Sequence, residues 1–324
     1  MRLSVLDLCS VIDGEEPRKS FEYARDLAQA VESFGYTRYW VAEHHDSLGI
    51  VSSCPEVLIG HLAGHTQKMR IGSGGVMLPN HSTYHIAEIF RTLEALYPNR
   101  IDLGLGRAPG SGGRAIQALR PDHHEQAQRF PEEIDKLFLY FEDKLTLKAA
   151  PSINTKPEVW ILGSSDFGAR LAAQKGLPYS FAQHFSGRNA IEVMRFYKEN
   201  FNPSPYLEKP NLIMGCHIIC AESEEEADFL SLSSDVSMAY FIQKGQSMPL
   251  LKPEDAQQVG LTEEDRFYIR QSFPKFVGTP EKIKEELAPY SQYADELVIS
   301  CMVYDQKKRI NSYRLLSEVF KQNC

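Results

Sequence analysis

Short apolar runs that end in polar residues at their C-terminal tips recur along this chain, each followed by a stretch of helical length. In Gly35–Ser47, GYTRYWVAEHHDS, the β-branched and aromatic run Tyr39-Trp40-Val41-Ala42 stops abruptly in Glu43-His44-His45-Asp46. MRIGSGGVMLPN from Met69, RIDLGLGRAPG from Arg100 and EVWILGSS from Glu158 repeat the pattern, ending in Gly, Arg or Ser. Several strands that deliver polar groups at the same end describe a parallel barrel, whose chemistry sits at the C-terminal face.

The apolar runs place strands near 3–9, 37–43, 69–77, 101–106, 158–162, 178–183, 212–220 and 295–300. Helical periodicity fills the intervals near 18–34, 55–66, 84–97, 125–142, 165–175, 187–199, 222–240 and 280–289, and again at 307–321. Eight strands with helical crossovers are the count of a closed (β/α)8 TIM barrel with insertions at its C-terminal face. A chain of 324 residues allows two domains, but no Ser/Gly/Pro linker divides it, so one domain over 1–324 is expected. The Gly-rich stretch 107–124 and the segment 243–265, with Gly245, Pro249, Pro253 and Gly260, read as long loops, which in a compact domain usually carry function.

A net charge of -8 argues against nucleic acid or an anionic membrane surface as a general partner. Anions must therefore be held by local groups. The six cysteines form no CxxC pair, and four lie in or beside apolar runs, as reduced thiols of a cytoplasmic protein do. The N-terminus reaches Asp7 too soon for a signal peptide, and no run has membrane-spanning length.

Arg107 follows Gly104-Leu105-Gly106 at the tip of the fourth strand, where a guanidinium can fork two hydrogen bonds to a phosphate. Gly163-Ser164-Ser165 follows the fifth strand and opens a helix whose free N–H groups favour an anion. The same residues also allow an arginine paired with a buried carboxylate and Ser164 as a helix cap. Gly74-Gly75 inside an otherwise buried strand marks a bulge or a close approach. His44 is an acid-base candidate, because an imidazole titrates near neutrality. In extended backbone His45 points the other way, and Glu43 is expected to satisfy neighbouring polar groups.

Other motifs point nowhere in particular. His61/His65 and His81/His85 have helical metal-ligand spacing but lack the glutamate of HExxH and a third ligand, so no metal is expected. GLGRAPG has Pro109 where a dinucleotide fingerprint has its third glycine, and neither a GxSxG elbow nor a strand lysine for a Schiff base is present.

WVAEHHDS, IGSGGVMLPNHS, HIAEIFRTLEALYPNRIDLGLGRAPG and ILGSS, in this order and spacing, resemble the bacterial luciferase-like flavin monooxygenases. The likeness is densest over about 36–110 and continues more weakly to the C-terminus, closer to the single-subunit oxidoreductase branch than to light emitters. It implies reduced FMN at the C-terminal face, supplied by a separate NAD(P)H-flavin reductase, and oxygen activation toward a small organic substrate. It further implies a homodimer, a non-prolyl cis peptide at Gly74-Gly75 supporting the ring with Val76 beside it, phosphate binding by Arg107, Gly163, Ser164 and Ser165, and a catalytic His44 facing the flavin. Asn99 stands where the family has glycine, and asparagine tolerates the left-handed turn required there. Asp7, Cys9, Phe181, Gln183 and His184 are expected to line the substrate side, and 243–265 to cover the mouth. Two alternatives stay open: a deazaflavin-dependent dehydrogenase of the same superfamily, with Arg114 near its longer anionic tail, and a flavin-binding protein without turnover.

Overall fold

The computed structural model describes residues 1–186 and 190–320. Its strands are β1 (Arg2–Asp7), β2 (Arg38–Val41), β3 (Arg70–Met77), β4 (Ile101–Gly106), β5 (Glu158–Gly163), β6 (Tyr179–Ala182), β7 (Leu212–Cys220), β8 (Lys275–Gly278) and β9 (Glu296–Ser300). All but β8 close a parallel barrel in the order β6-β5-β4-β3-β2-β1-β9-β7, with β7 returning to β6. Helices flank the closed barrel, as in a (β/α)8 fold.

Period-two alternation divides the barrel residues between two cores. Val5, Tyr39, Val41, Leu103, Ile161 and Leu297 pack outward beneath the helices. Leu6, Trp40, Trp160, Ile213 and Val298 point inward. The helices match this demand: Pro17–Ser33 begins with proline, whose missing N–H is not needed in a first turn, and buries Ala24, Leu27, Ala28 and Val31 on one stripe.

At the N-terminal end the interior is ionic. Arg38 Nη1 donates to Asp102 Oδ2 at 2.8 Å and its Nε to Glu296 Oε1 at 2.7 Å, while Ser4 bonds Glu296. Arg70 Nε donates to Asp102 Oδ1 at 2.7 Å, and Trp40 Nε1 to Asp102 Oδ2 at 2.9 Å. The Trp40 and Trp160 rings meet edge to face at 5.6 Å above this layer, with the Arg38 guanidinium 4.8 Å from the Trp160 ring centre. The barrel is thus filled from below, leaving space only toward its C-terminal end.

Several sequence expectations need correction. β8 is a ninth strand outside the barrel, paired only with the distal half of β7 from His217↔Lys275 to Cys220↔Gly278. The stretch 107–124 holds the helix Gly113–Leu119 and the start of His123–Gln128, and the expected helix 125–142 is broken at Arg129. Pro131 accounts for the break, since proline suits the first turn of a new helix and not the interior of a continuing one. Within 243–265 lie the helix Pro253–Val259 and a capping box in which Thr262 opens Glu263–Ser272. The helix expected over 187–199 is described from Ala190, and that over 307–321 runs Gln306–Phe320; positions 187–189 and 321 lie outside the described residues. Asn99 takes φ +62°. Among the described residues no helix is long and apolar enough to cross a membrane.

Candidate active site

The open end of the barrel is a cavity of about 350 Å3. Its apolar wall comes from Leu6, Leu8, Trp40, Ala42 and Leu162, the inward positions of β1, β2 and β5 and their extensions. Seven of the catalytic and cofactor-binding candidates also line it: His44, Gly74, Gly75, Arg107, Gly163, Ser164 and Ser165. Four segments, at the ends of β2, β3, β4 and β5 and spread over 121 positions, therefore converge on one space.

Gly74 and Gly75 form part of its wall, and the peptide between them is cis. A Cβ on Gly74 would lie 2.8 Å from Leu6 Cδ1, and one on Gly75 only 2.6 Å from the Gly104 carbonyl oxygen. A side chain at Gly75 would run into the β4 backbone and one at Gly74 would displace Leu6, so close packing against neighbouring strands calls for glycine here, and the pair presents bare backbone to the cavity. Val76 differs: its side chain is buried in the outer core, and it does not line the cavity.

Arg107 supplies the site's exposed cation. Its guanidinium carbon sits 3.9 Å from the centre of the Phe167 ring, and among the described residues no carboxylate pairs with it. Across the same cavity the helix Asp166–Lys175 begins at Ser165, whose side chain makes no cap hydrogen bond. The Ser165 side chain and the Arg107 guanidinium line the same cavity, an arrangement of donors that could take an anion. The alternative of an arginine locked to a buried carboxylate is not what the geometry holds.

His44 and its neighbours have distinct surroundings. Glu43 is fully buried and accepts hydrogen bonds from Met77 N at 2.8 Å and Asn80 Nδ2 at 3.1 Å, with His45 Nε2 and His81 Nε2 each 2.9 Å away. Burial pushes its carboxyl up, but the hydrogen bonds from His45 and His81 outweigh this and hold it at about 2. Glu43 is therefore an ionised brace between two strand ends. His44 lines the cavity with Nδ1 buried and unpartnered, and burial pulls its imidazole down to about 4, opposed in part by Glu43. Near neutral pH this ring is uncharged, so it can accept or donate one proton but does not stand ready as a cationic acid.

The substrate-side expectations divide. His184 lines the cavity, whereas Asp7, Cys9, Phe181 and Gln183 do not. Leu6 and Leu8 are the inward residues of that stretch, so Asp7 faces out, where it accepts from Arg309 Nη2 at 2.6 Å and from the Tyr39 hydroxyl. Cys9 and Phe181 belong to the outer core. Phe185 and Phe167 were missed; the first follows β6 directly and the second lies in the helix after β5.

A larger antechamber of about 730 Å3 adjoins the cavity and shares His44, Leu8, Ala108, Gly110 and Phe185 with it. Met238, Phe241, Phe273 and Met302 give it apolar walls, and Asp46, Arg114 and Lys244 are among its polar lining. Lys244–Ser247 put the start of the segment 243–265 at this mouth, as expected. Leu250 anchors the segment, donating from its N–H to Val11 O at 2.8 Å.

The model of the luciferase-like monooxygenase family matches residues 1–296. A luciferase-like monooxygenase of Escherichia coli strain K12 is 38% identical over 98% of this chain and 96% of its own length. The N-acetyl-S-alkylcysteine monooxygenase of Bacillus subtilis is 32% identical, covering 98% of each chain. Among solved structures, apo-MsnO8 superposes with a TM-score of 0.92 at 33% identity, again over 98% of both chains. By sequence and by fold, the chain belongs to the luciferase-like monooxygenase family.

Proposed function

We propose that the chain is an FMN-dependent monooxygenase that takes reduced flavin from a separate NAD(P)H-flavin reductase and acts with molecular oxygen on a small organic substrate. The observation that carries this reading is the convergence of a side-chain-free glycine wall with the donors of Arg107 and the Ser165 helix start in one cavity. Bound reduced flavin would supply the electron pair that reduces oxygen, one atom passing to substrate and the other leaving as water. Arg107 and the first turn of Asp166–Lys175 would hold its phosphate, Gly74 and Gly75 would admit its ring, and His44 would manage a proton beside it. The antechamber's apolar walls and charged groups suit a molecule with an apolar body and a polar end, and N-acetyl-S-alkylcysteines, contained in the Bacillus relative's name, are the first class of S-alkylcysteine thioethers to screen. Dependence on a nicotinamide-driven reductase fits a cytoplasmic protein, and the family resemblance fits a homodimer.

Anaerobic titration tests the reading. Reduced FMN is expected to bind more tightly than oxidised FMN or a reduced deazaflavin, and Arg107→Ala to weaken it by about 1.5–3 kcal/mol through loss of a charge-assisted contact. Preference for the deazaflavin would favour the dehydrogenase alternative, and unchanged affinity in the variant would remove Arg107 from the phosphate site.

A cover over the mouth has its own expected result. Trypsin is expected to cut at Lys244, an exposed residue just before Gly245, in the flavin-free protein, and more slowly with flavin and substrate bound. Equal cleavage in both states would make 243–265 a fixed insertion.

A further inference from the structure

Behind the wall that His184 and Phe185 give to the main cavity lies a second chamber of about 20 Å3, lined by His184, His217, Ser234, Asp235, Lys275 and Ser300 among others. A space of this size holds one water when two to four polar groups face it. His217 Nδ1 lies 3.0 Å from Ser300 Oγ, but its Nε2 is buried with no protein partner, and His184 Nδ1 is buried in the same condition. Unpaired buried nitrogens are costly, and a water in the chamber would offer them a partner.

The chamber continues outward. Lys275 Nζ donates to Asp235 Oδ1 at 2.6 Å and lies 3.4 Å from Ser234 Oγ. Lys275 and Asp235 also line an outer cleft of about 650 Å3 bounded by charged side chains that include Arg266, Arg270 and Glu286. Lys275 is carried by β8, so the strand left out of the barrel is the element that builds this passage. Burial pulls His184 down to about 4 and His217 to about 3, so both rings are neutral near pH 7 and each has one donor and one acceptor nitrogen.

We infer that the chamber holds one ordered water joining His184 to His217, and that Ser300, His217, this water and His184 form a proton path from the Lys275–Asp235 pair at the outer cleft to the flavin cavity. The proposed reaction gives the path a use: substrate, oxygen, anionic reduced flavin and one proton yield oxygenated substrate, oxidised flavin and water. His184 gives up a proton to the cavity at one ring nitrogen and regains one at the other, with no net change of charge. That use rests on the monooxygenase reading, whereas the water does not.

A crystal structure of the flavin-free protein is expected to show one water within hydrogen-bonding reach of His217 Nε2 and His184 Nδ1. An empty chamber overturns the path whether or not the chain turns over, and this measurement needs no variant. With turnover in hand, His217→Phe is expected to slow the proton-dependent step about tenfold and raise the solvent isotope effect, with FMN affinity unchanged and partial rescue in His217→Gln. A purely structural role would not raise the isotope effect, and an unaltered rate and isotope effect in His217→Phe would overturn the path.

Discussion

Replacing His44 with alanine is expected to lower coupled oxygenation by about 10²–10⁴-fold, the usual scale of a general acid-base contribution, while leaving fold and FMN affinity nearly intact. His44 lies in the cavity wall and has no hydrogen bond from its buried Nδ1 to the rest of the protein, so its removal breaks little. The pH dependence follows from burial, which holds this imidazole near 4. It is neutral above that value and gains a proton only as pH falls through it. The part of kcat/KM that requires neutral His44 should be flat from neutrality down to about 5 and decline on approach to 4. Substrate-dependent turnover measured across this range checks both statements. Wild-type turnover in His44→Ala would make the residue structural, and an inflection near the ordinary histidine value would mean that the ring is solvated.

The second large effect is on stability. Arg38→Ala is expected to cost about 3–5 kcal/mol, because it leaves Asp102 and Glu296 as buried carboxylates short of their central counter-charge. Arg2 reaches the same Glu296 at 3.3 Å from a side chain that is 43% exposed, so Arg2→Ala should cost no more than about 1 kcal/mol. Denaturant unfolding of the two variants supplies the comparison. Similar losses from both would mean that the ionic layer at the base of the barrel is not the support for the tryptophans above it.

The alternation of apolar runs and helical stretches carried the barrel in the sequence, even though glycines interrupt β3 and β4. β8 escaped because Lys275-Phe276-Val277-Gly278 holds only two apolar residues and, with one neighbouring strand, is only half buried. The meeting of Gly163-Ser164-Ser165 and Arg107 in one cavity was legible for a local reason, since each advertises its chemistry in three or four residues. The apolar wall was not, because parallel strands are buried on both faces and hydrophobicity alone does not say which residues turn inward. Asp7 shows the consequence. Its polarity suggested a site residue, yet it is held outside the barrel by Arg309, 302 positions away. His184 is the converse case, an inward residue two places beyond Ala182 on β6.

Photoreduced FMN, the protein and a candidate substrate, followed together for oxygen uptake and hydrogen peroxide release, give the most direct measurement of the proposed activity. Oxygen is expected to be consumed, with peroxide released in nearly equal amount without substrate and in clearly smaller amount once an S-alkylcysteine thioether or another accepted substrate is present. Peroxide equal to oxygen consumed across the whole substrate panel, as for flavin free in solution, would contradict the monooxygenase account.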